Sequence, residues 1–262
     1  MKPEDSKALI TKPDQYMSAK KADLDEMIDN CKLPAGTEEV ITSKAVKKLV
    51  FDKTLGLFKV GEIISAILNW NDDVEKDIRE AKKNYLISEY FHKTENNDRA
   101  VSQLKSFVTN AQGNTLFNKI IRIMDDSPPD FLLIEHLSAA MRHIVDSDFQ
   151  SLFEEHKYAL SLIDQLSPQG LAILADDNSW PVLKMGRMAS TGTRITSDWH
   201  NEFTMAYSVR KNIVGDAMRQ RISHSINELI TGRFMEAHRT DSGAAECVST
   251  EIGSTLQKYI KS

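Results

Sequence analysis

VGDAMRQRISHSINELITGRFMEAHRTDSGAAECVSTEIGSTLQKYIKS, residues 214–262, is the stretch whose reading decides the fold. A helix is expected from Asp216, because Met218, Ile222, Ile226, Leu229 and Ile230 recur at helical spacing and make one apolar stripe. Arg219, Arg221, His224, Ser225 and Asn227 fall mostly outside that stripe. Gly232 suits a left-handed C-cap. Phe234-Met235-Glu236-Ala237 then reads as a short strand, and Thr240-Asp241-Ser242-Gly243 as a tight turn whose glycine supplies the positive φ of a hairpin. A second strand runs from Ala244 to Val248. Thr250 caps a last helix and Glu251 sits at its positive dipole end, each contributing about 0.5–1 kcal/mol. Ile252, Leu256, Tyr259 and Ile260 return that helix to a core. Helix, two-stranded wing, helix is the closing half of a winged helix-turn-helix, which presents either a DNA-reading helix or a protein-docking surface.

Working outward, Ser167-Pro168 starts a helix over Gln169–Ala175, stopped by Asp176-Asp177-Asn178, and this is taken as the first helix of the winged module. Residues 178–213 are the least regular segment; Phe203, Met205, Ala206, Tyr207 and Val209 suggest a helix near its end. Before Trp180 no strand-like alternation of useful length occurs. Instead, helices follow one another. An apolar one spans Val46–Trp70 after Ser43, and Asn71 or Asp72 caps another that ends near Phe91. Asn96-Asn97-Asp98 caps a third, broken by Gly113-Asn114, and Ser127-Pro128-Pro129 starts the helix that bears His136 and His143. Asp148 opens one that reaches Leu166. The expected organisation is a flexible segment over 1–22, a helical bundle over 23–166 beginning with a short helix at Ala22–Asn30, and a winged-helix-like domain over 167–262 with an irregular insertion at about 178–213. The fold class is mainly α with a small two-stranded wing.

Composition narrows the class. Eleven Gly and seven Pro in 262 residues are too few for a many-turned β protein. Cys31 and Cys247 lie far apart with no zinc-type spacing, so a disulfide framework is excluded and a reducing compartment is the simpler reading. Met1-Lys2-Pro3-Glu4-Asp5 is too acidic for a signal peptide, and Lys and Asp interrupt the apolar Val46–Trp70 stretch, so a cytoplasmic protein without a membrane span is expected. The net charge of −5 is unevenly spread: from Pro181 onward eleven Lys/Arg face eight Asp/Glu, a net of +3, which leaves −8 for the rest. That sign suits nucleic acid at the C-terminus; its size is below the footprint of a dedicated DNA-binding domain.

Leu162-Ile163-Asp164-Gln165-Leu166-Ser167-Pro168, with Leu171, Ile173 and Leu174, resembles the L-x-x-L-S-P-x-x-x-x-I-L stretch of bacterial Abi-alpha-like proteins. Leu229, Gly232, Phe234-Met235 and Ser249-Thr250-Glu251-Ile252-Gly253 are similar to their closing pattern, with Arg233 in place of an apolar residue and Ser249 in place of Leu. The resemblance covers about a third of the chain. It implies a helical N-terminal region, a winged-helix-like C-terminal part and a link to abortive phage infection, and it brings no catalytic residue.

Three functional readings follow. In the first, the chain is a non-enzymatic, bacterial-type intracellular protein that binds another protein or itself through the winged module, in phage defence or stress response. In the second, the 216–231 helix reads DNA: Arg219 and Arg221 touch phosphates, His224 or Asn227 reaches base edges, and Arg239 in the wing meets a flanking phosphate. In the third, a hydrolase site gathers Asp198 and His200 with His136 and His143. No dinucleotide, phosphate-loop, G-x-S-x-G or H-E-x-x-H pattern is present, and no catalytic residue, cofactor, metal or small-molecule substrate is expected.

Overall fold

The computed structural model describes residues 7, 9–30, 60–94, 97–184 and 189–261, and within these it describes no side chains for 28, 60–68 and 97–98. It is mainly helical with a small antiparallel sheet near the C-terminus. Contacts divide the chain into two compact units, Met1–Tyr85 and Leu86–Ser262, so the wing and the helices from Asn97 onward share one unit.

In the first unit the helix does not wait until Ala22. Helix α1 covers Pro13–Asp29, with Pro13 in its first turn, where the missing N–H deprives the helix of nothing. The expected helix over Val46–Trp70 lies mostly outside the described residues. Helix α2 runs unbroken from Val60 to His92, so Asn71 and Asp72 cap nothing. They sit with Asp73 on an exposed face, Val74 is buried, and beyond Gly61 in the first turn no Gly or Pro interrupts the run. The Tyr16 hydroxyl donates to Asp77 (2.9 Å) and the Trp70 indole to the Lys20 carbonyl (2.7 Å), pinning α1 to α2 within this unit.

In the second unit, helices α3 (Asn97–Thr109), α4 (Ala111–Asp125), α5 (Phe131–Asp146) and α6 (Phe153–Gln165) precede the winged module. Gly113 is not a breaker. Asn110 ends α3 and caps α4 by accepting from Gln112 and Gly113, and a Cβ on Gly113 would strike the Phe107 carbonyl. The glycine therefore allows the two helices to meet closely. Nor does Ser127 cap α5: its hydroxyl donates back to Ile123, and Asp130 beyond the two prolines accepts from Leu133 (3.0 Å). The residue before proline is steered away from helical dihedrals, which pushes the start downstream.

Helix α7 (Pro168–Ala175) is capped by Ser167 as expected. The described residues of the next segment are largely regular. It contains strands β1 (Val182–Lys184), β2 (Ser190–Thr191) and β3 (Arg194–Ile195), followed by helix α8 (His200–Arg210). Helix α9 (Asp216–Thr231), strands β4 (Met235–Arg239) and β5 (Ala244–Ser249), and helix α10 (Glu251–Ile260) complete the chain. The wing thus belongs to a five-stranded antiparallel sheet ordered β1-β5-β4-β3-β2. Leu183 pairs with Ala245, Ala237 with Cys247 and Arg194 with His238, which puts Leu183, Ala245, Met235 and Ala237 on the buried face.

Polar groups tie the module together. Glu228 of α9 accepts the Ser167 backbone N–H (2.9 Å) and hydroxyl (2.7 Å), joining α9 to the start of α7. At the other end of α7 the paired acids do more than cap. Asp176 accepts from Tyr207 (2.7 Å) and pairs with Lys211 (2.6 Å); Asp177 takes Lys261 (2.7 Å). Burial raises the Asp176 carboxyl, but the bonds from Lys211, Tyr207 and Ser179 more than offset it and hold the group below the usual carboxylate range. No helix among the described residues is long and apolar enough to cross a membrane.

Candidate docking surfaces of the winged module

Helices α8 and α9 are joined by a tight turn with positive φ at Asn212 and Gly215. The face that α9 buries is Ile222, Ser225, Ile226 and Leu229. Met218 is 41% exposed, because the first turn of α9 projects beyond its neighbours, and Ser225 is buried beside the Ser167 hydroxyl (3.3 Å) rather than left outside.

Gln220, Arg221, His224, Asn227 and Thr231 are exposed along α9. Arg219 does not join them freely. It is half-buried and pairs with Asp216 (3.7 Å), and its Nε is buried with no hydrogen-bond partner among the described residues. Arg239 is exposed at the end of β4, its backbone N–H bonded to Thr193 of the inserted hairpin. Residues 216–231 thus offer a polar face with one exposed arginine and one held by a carboxylate.

Beside that face lies a cleft of about 750 Å³, bounded by Thr191 and Arg194–His200 on one side and by Asn227, Ile230, Met235 and Glu236 on the other. Its charges are satisfied internally: Glu236 receives Arg194 (3.4 Å) and His238 (2.8 Å). Asp198 accepts the backbone N–H of His200 (3.1 Å) and contacts its ring Nδ1, a local bond of the Asx-turn kind just before α8. The Ser197 hydroxyl accepts from the Ala189 backbone N–H (3.0 Å), which holds the loop rather than serving His200.

His136 and His143 are not among the residues lining this cleft. They lie on α5 against α10. His136 Nδ1 bonds the Ile260 carbonyl (3.0 Å), and the His143 ring meets Tyr259 at 4.5 Å; Tyr259 in turn bonds His156 of α6 (2.9 Å). The set expected of a hydrolase is therefore not brought together. Among the described residues no three His, Cys, Asp or Glu side chains are placed to hold a metal ion.

A second surface lies outside the expectations drawn from the sequence. Helix α8 buries Phe203, Thr204, Tyr207 and Ser208, and its opposite side carries Met205, Ala206 and Val209. With β1 these residues form a groove of about 650 Å³, lined by Val182, Leu183, Lys184, Asn201, Glu202, Met205, Ala206 and Val209. Val182 is 61% exposed, Met205 53% and Val209 76%. β1 is the end strand of the sheet, and among the described residues nothing pairs with its far side. The available signal was Met205 and Val209, four apart and on the side away from Phe203 and Tyr207: a helix apolar on both faces needs a partner on each.

No family model, curated protein or solved structure matches the chain.

Proposed function

We propose that this chain is a non-enzymatic docking protein that binds a protein partner through the groove between α8 and β1. One observation carries the reading: large apolar side chains are exposed together beside a sheet edge that no strand among the described residues pairs with. Scattered exposed apolar residues are ordinary, but a contiguous set at a groove marks an interaction site. The edge supplies backbone hydrogen bonds and the groove supplies pockets, the combination that binds extended segments by strand addition. The resemblance of 162–174 to Abi-alpha-like proteins sets this docking in phage defence or a stress response.

DNA reading by α9 is the second reading, favoured by the exposed Gln220, Arg221, His224 and Asn227. It is weaker because the charge it needs is spent internally: Arg219 goes to Asp216 and Arg194 to Glu236. The two readings separate by photo-cross-linking in cells, with a reactive side chain placed at Met205 or at His224. Docking predicts a protein adduct at Met205 and none at His224. Nucleic-acid adducts at His224 with a bare Met205 position would instead support the DNA reading and overturn the first.

A further inference from the structure

We infer that the occupant of the α8–β1 groove is a second copy of this chain, joined to the first about a twofold axis that pairs the two β1 strands antiparallel. This rests on the docking reading and names the partner for the same site. β1 pairs with β5 along one side and has no strand partner on the other among the described residues. A twofold interface must be self-complementary, since each patch meets its own image. The groove meets that condition in charge as well as in apolarity. Its strand wall bears one cation, Lys184, and its helix wall one anion, Glu202; both are exposed and neither has an ion-pair partner among the described residues.

Antiparallel pairing centred on Leu183 places Val182 of one copy opposite Lys184 of the other. The aliphatic stem of Lys184 then covers Val182 of the second copy, and its ammonium is directed toward the Glu202 that lines the same groove there. Met205 and Val209 of both copies are covered by the same closure. A groove built for an acidic or a basic peptide would carry one sign of charge; this one carries one of each.

Sedimentation of the full chain over a concentration series tests the pairing. Wild type is expected to shift from monomer to dimer. Lys184→Glu and Glu202→Lys each place like charges opposite one another and are expected to weaken association by at least about tenfold. An equimolar mixture of the two variants restores opposite charges at both contacts and is expected to dimerise again, which a misfolded variant could not do. A wild type that stays monomeric, or a dimer indifferent to both changes, would overturn the twofold pairing. A monomeric wild type that still cross-links a different protein through Met205 would retain the docking reading and lose only this inference. Loss of the cross-link as well would remove both.

Discussion

Arg233 follows the end of α9 with φ of 60°, in the left-handed region that disfavours side chains. Its position is fixed by two bonds, Arg233 N–H to the Ile230 carbonyl (3.1 Å) and Phe234 N–H to the Leu229 carbonyl (2.8 Å), the pattern of a Schellman cap. Gly232, to which the sequence assigns this conformation, is right-handed at φ −73°, and a Cβ there would meet the Phe234 ring. The glycine serves packing, and its neighbour bears the strain. Arg233→Gly is therefore expected to raise stability by about 0.5–1 kcal/mol, after the greater unfolded freedom of glycine is subtracted. Gly253→Ala should do the opposite, at a loss of about 1–3 kcal/mol, because a Cβ would strike the Phe234 carbonyl. Urea midpoints measure both; a destabilised Arg233→Gly would refute this account of the cap. Ser167 was legible as a cap, but its tie to Glu228, 61 positions away, is a product of tertiary packing that local spacing does not encode. Glu228→Ala leaves the Ser167 N–H without that acceptor and should lose about 1–3 kcal/mol, whereas no loss would mean that solvent satisfies the group.

At the scale of elements, α10 packs against three histidines that titrate. His136 and His143 of α5 and His156 of α6 surround its last turn, and all three are held below the ordinary imidazole value of 6.5, foremost by burial. Lys258 adds to the lowering at His143, and the His143 ring, 6.3 Å away, adds to it at His156; the Ile260 carbonyl and Glu135 oppose it at His136. Groups whose folded pKa is depressed contribute full stability above their unfolded pKa. As pH falls below about 6.5 the unfolded chain takes up protons that the folded chain resists, so stability declines. Urea midpoints are expected to fall between pH 7.5 and pH 5, with a shallower fall in His143→Gln/His156→Gln. A wild-type midpoint flat over that interval would show that the histidines are not buried as described. Helices α7, α9 and α10 and the β4–β5 hairpin were legible because each has a cap, a turn signal or a stripe long enough to show its period. Strands β1, β2 and β3 have two or three residues each and no period to read, and they are recognised only by their pairing, β1 with β5, β3 with β4 and β2 with β3.

At the scale of the whole molecule, sequence reading divides the chain by pattern, whereas packing divides it by contact, at Tyr85–Leu86 inside α2. Hydrophobic periodicity does not reveal which helices share a core. The same limit hid the α8–β1 groove. Residues 216–231 read as the alternative, nucleic-acid site because a helix before a wing is a familiar DNA reader; several of their polar residues are exposed. The apolar groove needed β1 and α8 to be brought together, and they are separated in sequence by the inserted hairpin. Methionine oxidation footprinting of the unmodified chain tests the docking claim most directly, because Met205 lies in the groove and Met218 on the first turn of α9, and both are exposed in the chain by itself. In cells, compared with dilute purified protein, the account predicts Met205 protected from sulfoxide formation and Met218 unchanged; protection of Met218 with Met205 fully reactive would contradict it.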